Sequence, residues 1–338
     1  MTDKKAKCVA LFSGGLDSSL AILSMLEQDI EVTALLFLTH FGCDIVDKSS
    51  CSQNPEPMAE KFGFKVKLMH LGQKFIDIVK NPKHGYGKNM NPCVDCRILM
   101  LREAKEFMRM SGADFLITGE VLGQRPKSQM RNSLNLVEKE AGVEGILLRP
   151  LSAKLLEPTI PEQQGLVDRE KLFDFNGRSR KPQMELAKKY GLKDYPTPAA
   201  GCLLTDPGYS KKLKDLLSYK QDITFDDLNL LRVGRHFRIN PQVKMVVGRK
   251  EEENDRIEAC AGNGDIMLEA KGTGSPIVLL RGTSGPQEIE IAARTTARYC
   301  DDKHEAQVEI TVTDTKSDNE YKLTVAPYDL KHIDRFRL

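Results

Sequence analysis

The chain has 338 residues, 40% hydrophobic and 29% charged, enough apolar material for two or three domains with their own cores, which excludes a largely disordered protein. Fifty basic against 48 acidic residues leave a formal net charge of +2, so no overall field selects nucleic acid, membrane or acidic ligands, and any such site must come from local clustering. The start, MTDKKAKCVALFSGG, is basic and then apolar, but Ser13 and two glycines interrupt it before a signal core is complete. No apolar run approaches the ~20 residues of a membrane-spanning helix. The eight cysteines are therefore expected in a reducing cytoplasm, where grouped thiols point to metal or redox chemistry more than to structural disulfides.

In chain order, KCVALF at 7–12 reads as a strand, followed by a glycine turn and a helix carrying Leu20, Leu23, Ser24 and Leu26 on one repeat. EVTALLFLT at 31–39 reads as a buried strand, PMAEKFGF at 57–64 as part of a helix and KVKLMHL at 65–71 as a strand. A helix at about 96–110 leads into ADFLITGE at 113–120, a further strand ending in a glycine turn. This alternation predicts an α/β fold, a doubly wound, Rossmann-like parallel sheet with ligands at the carboxyl ends of its strands. From 121 to 210 the pattern loosens, with a helix at about 182–190 and an irregular Pro- and Gly-rich stretch at 194–208. Near 222 the texture changes to alternating strands (VKMVVGR, DIMLEA, PIVLLRG, QVEITVT, KLTVAP), which predicts a smaller C-terminal α+β domain. The expected domains are 1–210 and 211–338.

The first turn carries the clearest chemistry. Gly14 and Gly15 let the backbone turn sharply and approach a ligand, and the following helix points unpaired N–H groups at it, so an anion is the expected occupant. Ser13, Ser18 and Ser19 add hydroxyls. Asp17 suits a phosphate site if a cation such as Mg2+ bridges it to the phosphates. Neither GxxxxGKS/T nor GxGxxG is present, so the turn is neither an ordinary P-loop nor a dinucleotide fingerprint. Ser13-Gly14-Gly15-Leu16-Asp17-Ser18-Ser19 resembles the SGGxDS signature of the PP-loop ATP pyrophosphatases, which split ATP between the α and β phosphates and transfer the adenylate to a carbonyl or carboxylate oxygen. By that resemblance Ser13, Gly14, Gly15, Asp17, Ser18 and Ser19 bind ATP, Leu36 and Phe37 pack its adenine, and Gly119 closes the site from the strand at 113–118.

Cys93 and Cys96 stand three residues apart at a helix entrance, where the dipole favours thiolate. Cys202 follows Ala199, Ala200 and Gly201, small residues that let a cofactor approach. Three thiolates can hold a 4Fe-4S cluster with one iron open. A persulfide pair, or zinc completed by Cys43, Cys51 or a histidine, are the alternatives. NPCVDCR resembles the NPDxxCN segment of the MnmA-type 2-thiouridylases, and GADFLITGE their GADYxATGH strand, across roughly residues 7–210. Cys93 replaces their Asp and Glu120 their His. The CxxC with a distant cysteine is similar to the cluster-dependent ThiI-type 4-thiouridine synthases and their TtuA and NcsA relatives.

The resemblance implies an ATP-dependent tRNA sulfurtransferase. ATP adenylates a uridine carbonyl oxygen, and sulfur from sulfide or a cysteine-desulfurase donor replaces it, with Cys93, Cys96, Cys202 and Asp17 as catalytic residues. The favoured product is 4-thiouridine at tRNA position 8, with 2-thiouridine as the competitor and a small-molecule ligase or amidotransferase as the alternative class. Gln124, Arg125 and Lys127 follow the glycine turn in a segment able to reach phosphate or RNA. His40, His70 and His84 lack metal spacing. Between 232 and 250, Arg232, Arg235, Arg238, Lys244, Arg249 and Lys250 form a basic strip without an acid, suited to phosphate contacts. LNLLRVGRHFR and VVGRKEEEN there resemble the NFACT-R RNA-binding domain over roughly 222–330. A homodimer is compatible with these residues.

Overall fold

The computed structural model describes residues 5–42, 56–193, 195 and 202–338. The chain divides into two compact units, Met1–Asp206 and Pro207–Leu338.

The first unit opens with β1 (Lys7–Phe12), α1 (Leu16–Leu26), β2 (Glu31–Leu38), α2 (Glu56–Phe62) and β3 (Lys65–His70). It continues through α3 (Gly72–Lys80), α4 (Cys93–Ser111), β4 (Phe115–Thr118), α5 (Arg131–Ala141) and β5 (Leu147–Leu148), then the single turn α6 (Ile160–Gln163) and α7 (Lys181–Lys189). All strand pairings are parallel and the order is β3-β2-β1-β4-β5. The strand order reverses between β1 and β4, the place where open α/β sheets bind ligands. β1 is buried on both faces. Cys8, Ala10 and Phe12 pack on Ala21, Ile22 and Met25 of α1, while Val9 and Leu11 fill the other side, where α4 lies against β1 and β4. That is why KCVALF reads as a continuous apolar run instead of an alternating one.

The second unit begins with α8 (Pro207–Tyr219) and α9 (Phe225–Leu230), the latter started by a capping box in which Thr224 and Asp227 satisfy each other's backbone N–H groups. Then come β6 (Arg235–Asn240), β7 (Val243–Val247), α10 (Glu251–Ala259), β8 (Ile266–Glu269), β9 (Val278–Gly282), α11 (Pro286–Tyr299), β10 (Val308–Asp314), β11 (Asn319–Val325) and the short α12 (Leu330–Ile333). The six strands form an antiparallel sheet in the order β11-β10-β8-β9-β7-β6. Val243, Met245 and Val247 of β7 face Ala292, Ala293 and Ala297 of α11. Val246 on the opposite face packs with Leu230, Val233 and Ile257, from the α9 and α10 side.

Among the described residues no helix is long and apolar enough to cross a membrane.

Candidate nucleotide and thiol site

The phosphate loop lies between β1 and α1, at the carboxyl end of the central strand. Gly14 adopts φ 71°, which an L side chain resists, and Gly15 is the extended N-cap of α1. Ser18 and Ser19 are buried and turned inward, while Ser13 is exposed. Ser18 Oγ donates to the Gly15 carbonyl at 2.9 Å, Ser19 Oγ donates to the same oxygen at 3.1 Å, and Ser13 N donates to Ser18 Oγ at 3.3 Å. These bonds shape the loop, and the first-turn N–H groups stand at its mouth.

Asp17 is held by groups from far along the chain. Its Oδ2 accepts 2.8 Å from Gln124 Nε2 and 3.0 Å from Arg180 Nη2 at the start of α7, and Gln183 Nε2 donates to Gln124 Oε1 at 3.3 Å. Asp17 Oδ1, Arg180 Nε and Gln183 Oε1 are buried without a hydrogen-bond partner. Three orphaned polar atoms in one neighbourhood mark a place where a ligand, ion or water completes the bonding. Arg180 and Gln183 were missed in the sequence because neither sits in a motif. The Arg180 guanidinium takes one Asp17 oxygen, and Oδ1 is left for a further partner.

Gly119, at the end of β4, presses on this loop. A Cβ there meets Ser18 N at 2.4 Å and Asp17 O at 2.6 Å. The next residue, Glu120, is 4% exposed and lies between Arg97 of α4 at 3.2 Å and the buried Arg149 at 3.0 Å, with Thr118 Oγ1 donating at 3.1 Å. Arg149 also pairs with Glu138 of α5. Burial pushes the Glu120 carboxyl up, but the two arginines outweigh it and hold it below the usual carboxylate range. The residue that replaces the MnmA-type histidine is thus a buried clamp tying the end of β4, which abuts the phosphate loop, to the cysteine helix. Leu36 and Phe37 are buried at the end of β2.

Cys93 is the first residue of α4 and Cys96 lies one turn on, beside Arg97. Both are half-buried. The third thiol arrives through the backbone. Leu203 N donates to the Phe41 carbonyl at 3.1 Å, Met90 N to Leu204 O at 3.1 Å and Asn89 Nδ2 to Thr205 O at 2.7 Å, while the Cys202 thiol donates to Phe41 O at 3.3 Å. Cys202 and Cys93 both lie within electrostatic reach of Cys96, and Arg125 and Lys127 of the loop after β4 lie within reach of Cys93. None of the three is in a disulfide.

The helix entrance does not favour thiolate as the sequence suggested. Burial pushes the Cys93 thiol up, against Arg125, Arg97 and Lys127. It pushes Cys96 up to about 12, with Cys202 and Cys93 adding to it and Arg97 opposing. Desolvation of a buried sulfur outweighs one helix terminus. Among the described residues no three His, Cys, Asp or Glu side chains are drawn into a ready metal-holding group. The donor chemistry does suit an iron–sulfur cluster: three soft thiols around one neighbourhood, ringed by Arg97, Arg125 and Lys127, which favour an anionic group. Cys43, Cys51, Ala199, Ala200 and Gly201 lie outside the described residues. His40 and His70 stack edge to face at 4.7 Å, and His84 lies 3.8 Å from Glu140.

The basic strip of the second unit is largely paired internally. Arg238 makes a bidentate pair with Asp215, and Lys244 is buried beside the same carboxylate at 3.5 Å. Arg249 pairs with Glu253 and Lys250 with Glu252, the acids arriving from the next helix turn. Arg235 stacks on Tyr299 at 4.7 Å, and Arg232 is half-buried. The segment lacks acids in sequence but not in space.

Residues 4–155 match the family described as Thiamine biosynthesis protein (ThiI), and residues 234–337 the family described as NFACT protein RNA binding domain. The chain is 27% identical over 137 residues to a "Probable tRNA sulfurtransferase" of Thermococcus kodakarensis, covering 38% of this chain and 33% of that protein. It is 30% identical over 128 residues to a "tRNA-specific 2-thiouridylase MnmA" of Fervidobacterium nodosum, covering 34% and 36%. The chain therefore spans about a third of the length of these curated relatives. A solved 4-thiouridine synthetase in complex with RNA and ATP is 19% identical, covering 67% of this chain and 52% of that one at a TM-score of 0.37. The chain thus carries a segment similar to the ThiI family followed by one similar to the NFACT RNA-binding family.

Proposed function

We propose that the protein is a cytoplasmic, ATP-dependent tRNA sulfurtransferase that forms 4-thiouridine at tRNA position 8. The observation that carries this reading is the adjacency of the two halves of the chemistry. Gly119 abuts the phosphate loop, Glu120 follows it, and Glu120 is clamped to Arg97, the neighbour of Cys96. An adenylating site and a set of thiols are thereby built on one edge of one sheet. The ThiI-family match over 4–155 and the RNA-binding-family match over 234–337 support tRNA as the substrate.

In this reading the phosphate loop, through Gly14, Gly15 and the Ser18 N–H, receives the pyrophosphate of ATP, with Leu36 and Phe37 walling the adenine. Asp17, through its unpartnered Oδ1, would hold a Mg2+ that neutralises the phosphates, and Arg180 on Oδ2 keeps the carboxylate in place. The uridine carbonyl oxygen attacks the α-phosphorus and pyrophosphate leaves. Hydrosulfide then adds to the activated ring carbon, the C–O bond breaks, and AMP carries the oxygen away, so no electrons are exchanged. Cys93, Cys96 and Cys202 are the residues that would hold a 4Fe-4S cluster, which when bound would supply a site for delivering sulfur. Arg125 and Lys127 hold the RNA phosphates near Cys93.

The similarity to a 2-thiouridylase favours 2-thiouridine as a second reading. Mass spectrometry of nucleosides from tRNA incubated anaerobically with the protein, Mg-ATP and sulfide tests both. 4-thiouridine is expected, 2-thiouridine replaces the first reading with the second, and unmodified tRNA overturns both. Iron and sulfide content of the wild type and Cys93→Ala tests the cluster, and an active, iron-free protein sinks it.

A further inference from the structure

The second unit holds a cavity of about 560 Å³ on the α8 and α9 side of its sheet, within the range of small-ligand sites. Its floor is unusual for a sheet. Arg238 of β6 stands directly opposite Lys244 of β7, and Lys244 directly opposite Arg281 of β9, so three cations form one row across three neighbouring strands. Strands lie ~4.8 Å apart and like charges in direct opposition are destabilising, so a row of this kind requires a compensating anion.

The protein supplies only part of it. Asp215 serves Arg238 and Lys244, Asp227 serves Lys220 and Arg281, and Asp265 joins Arg281: four cations on three carboxylates. The shortfall falls on Lys244. Arg238 takes both oxygens of Asp215, which leaves Lys244 Nζ, in a residue 8% exposed, with a single long contact to that carboxylate at 3.5 Å. The strand alternation that puts Val246 into the apolar layer puts this ammonium in a position an aliphatic side chain would fill. Above the row, Tyr219 at the end of α8 is 52% exposed. One face of its ring is taken by the Arg238 guanidinium at 4.5 Å, which leaves aromatic surface at the cavity mouth.

We propose that this cavity is a nucleotide pocket that captures one unpaired nucleotide of an RNA strand, its phosphate on Lys244 at the centre of the Arg238–Lys244–Arg281 row and its base stacked on Tyr219. A cation row alone would take any anion. The exposed ring beside it selects a ligand that carries both an anionic group and a flat π-face in one unit, as a nucleotide does with its phosphate and its base on either side of the sugar. The choice of RNA rests on the reading given under Proposed function, whereas the pocket itself does not, because it lies in the unit without the phosphate loop.

Fluorescence anisotropy of the full-length protein with a short fluorescein-labelled oligouridylate, without ATP, at several salt concentrations, tests the proposal. Tyr219→Ala is expected to weaken binding between about 5- and 150-fold with an unchanged salt slope, and Tyr219→Phe to bind like the wild type. Lys244→Met is expected to weaken binding and to reduce the slope of log K against log salt by about 0.7, the loss of one phosphate contact to a single strand. Wild-type affinity and slope in both Tyr219→Ala and Lys244→Met overturn the proposal. So does displacement of the RNA by polyglutamate with Tyr219→Ala binding normally, which makes the cavity a site for acidic peptides. Because the assay needs no chemistry, loss of tRNA sulfuration with these binding effects intact would sink the enzymatic reading and leave the pocket standing.

Discussion

Replacing Gly119 with alanine tests how tightly the sheet supports the phosphate loop. The added Cβ falls 2.4 Å from Ser18 N, 2.5 Å from the Asp17 carbonyl carbon and 2.6 Å from its oxygen. All three are backbone atoms of the first turn of α1, so no side chain can swing aside. Restoring ordinary contact at 3.4 Å requires the end of β4 and the loop to separate by about 1 Å. Overpacking of this kind costs about 1–3 kcal/mol, at roughly 2–4 °C of unfolding midpoint per kcal/mol for a unit of this size. The functional cost is larger, because a 1 Å misplacement of a reacting group costs on the order of 100-fold in rate. Calorimetric unfolding, Mg-ATP binding by titration and AMP release with tRNA measure the three effects. Gly119→Ala is expected to remain folded with a lowered midpoint, to bind ATP weakly and to release AMP about 100-fold more slowly. A Gly119→Ala protein that binds ATP and releases AMP like the wild type would refute the argument that this contact sets the loop.

Glu120→Gln leaves Arg97 and the buried Arg149 without their shared charge and is expected to cost ~3–5 kcal/mol, read as a drop in urea midpoint. Because the folded carboxyl titrates below its ordinary value of 4.5, the wild type keeps this contribution above that pH and loses it as pH falls through the depressed value, and the variant should show a flatter acid limb. Lys244→Met should raise stability at pH 7. Burial, with Arg238 and Lys212 adding and Asp215 opposing, lowers this ammonium from 10.5 to about 8, a penalty on the order of 3 kcal/mol for holding the charge. Since the unfolded chain keeps the proton longer, the wild type gains stability between about pH 8 and 10.5 and the variant does not. Arg281, Lys220, Asp227 and a His236 held neutral share that neighbourhood in both proteins.

The elements legible in the sequence were those whose burial pattern matched their period. β1, buried on both faces, and the glycine turn after it were read at their observed bounds. α11 was not read, because its buried face is Ala292, Ala293, Thr295, Thr296 and Ala297, small residues that leave no apolar stripe. β6 is not legible because RHFRIN alternates cations with apolar residues, and the cations are accommodated through Asp215 of α8 and the rings of Tyr219 and Tyr299. The site divided in the same way. A contiguous motif announced the phosphate loop, and the CxxC announced two thiols. Arg180, 163 residues from the aspartate it holds, and Glu120 as a two-arginine clamp are pairings created by the fold, which no local window contains.

The 202–206 turn, fastened by main-chain bonds to Phe41, Met90 and the Asn89 side chain, has a practical consequence for dissecting the site. Its third sulfur is presented by a bracket whose main-chain fastenings belong to other residues, the thiol itself adding one bond to the Phe41 carbonyl. A serine at 202 therefore exchanges one chalcogen for another on an unchanged mount, and any difference it makes belongs to the sulfur atom and not to the architecture around it.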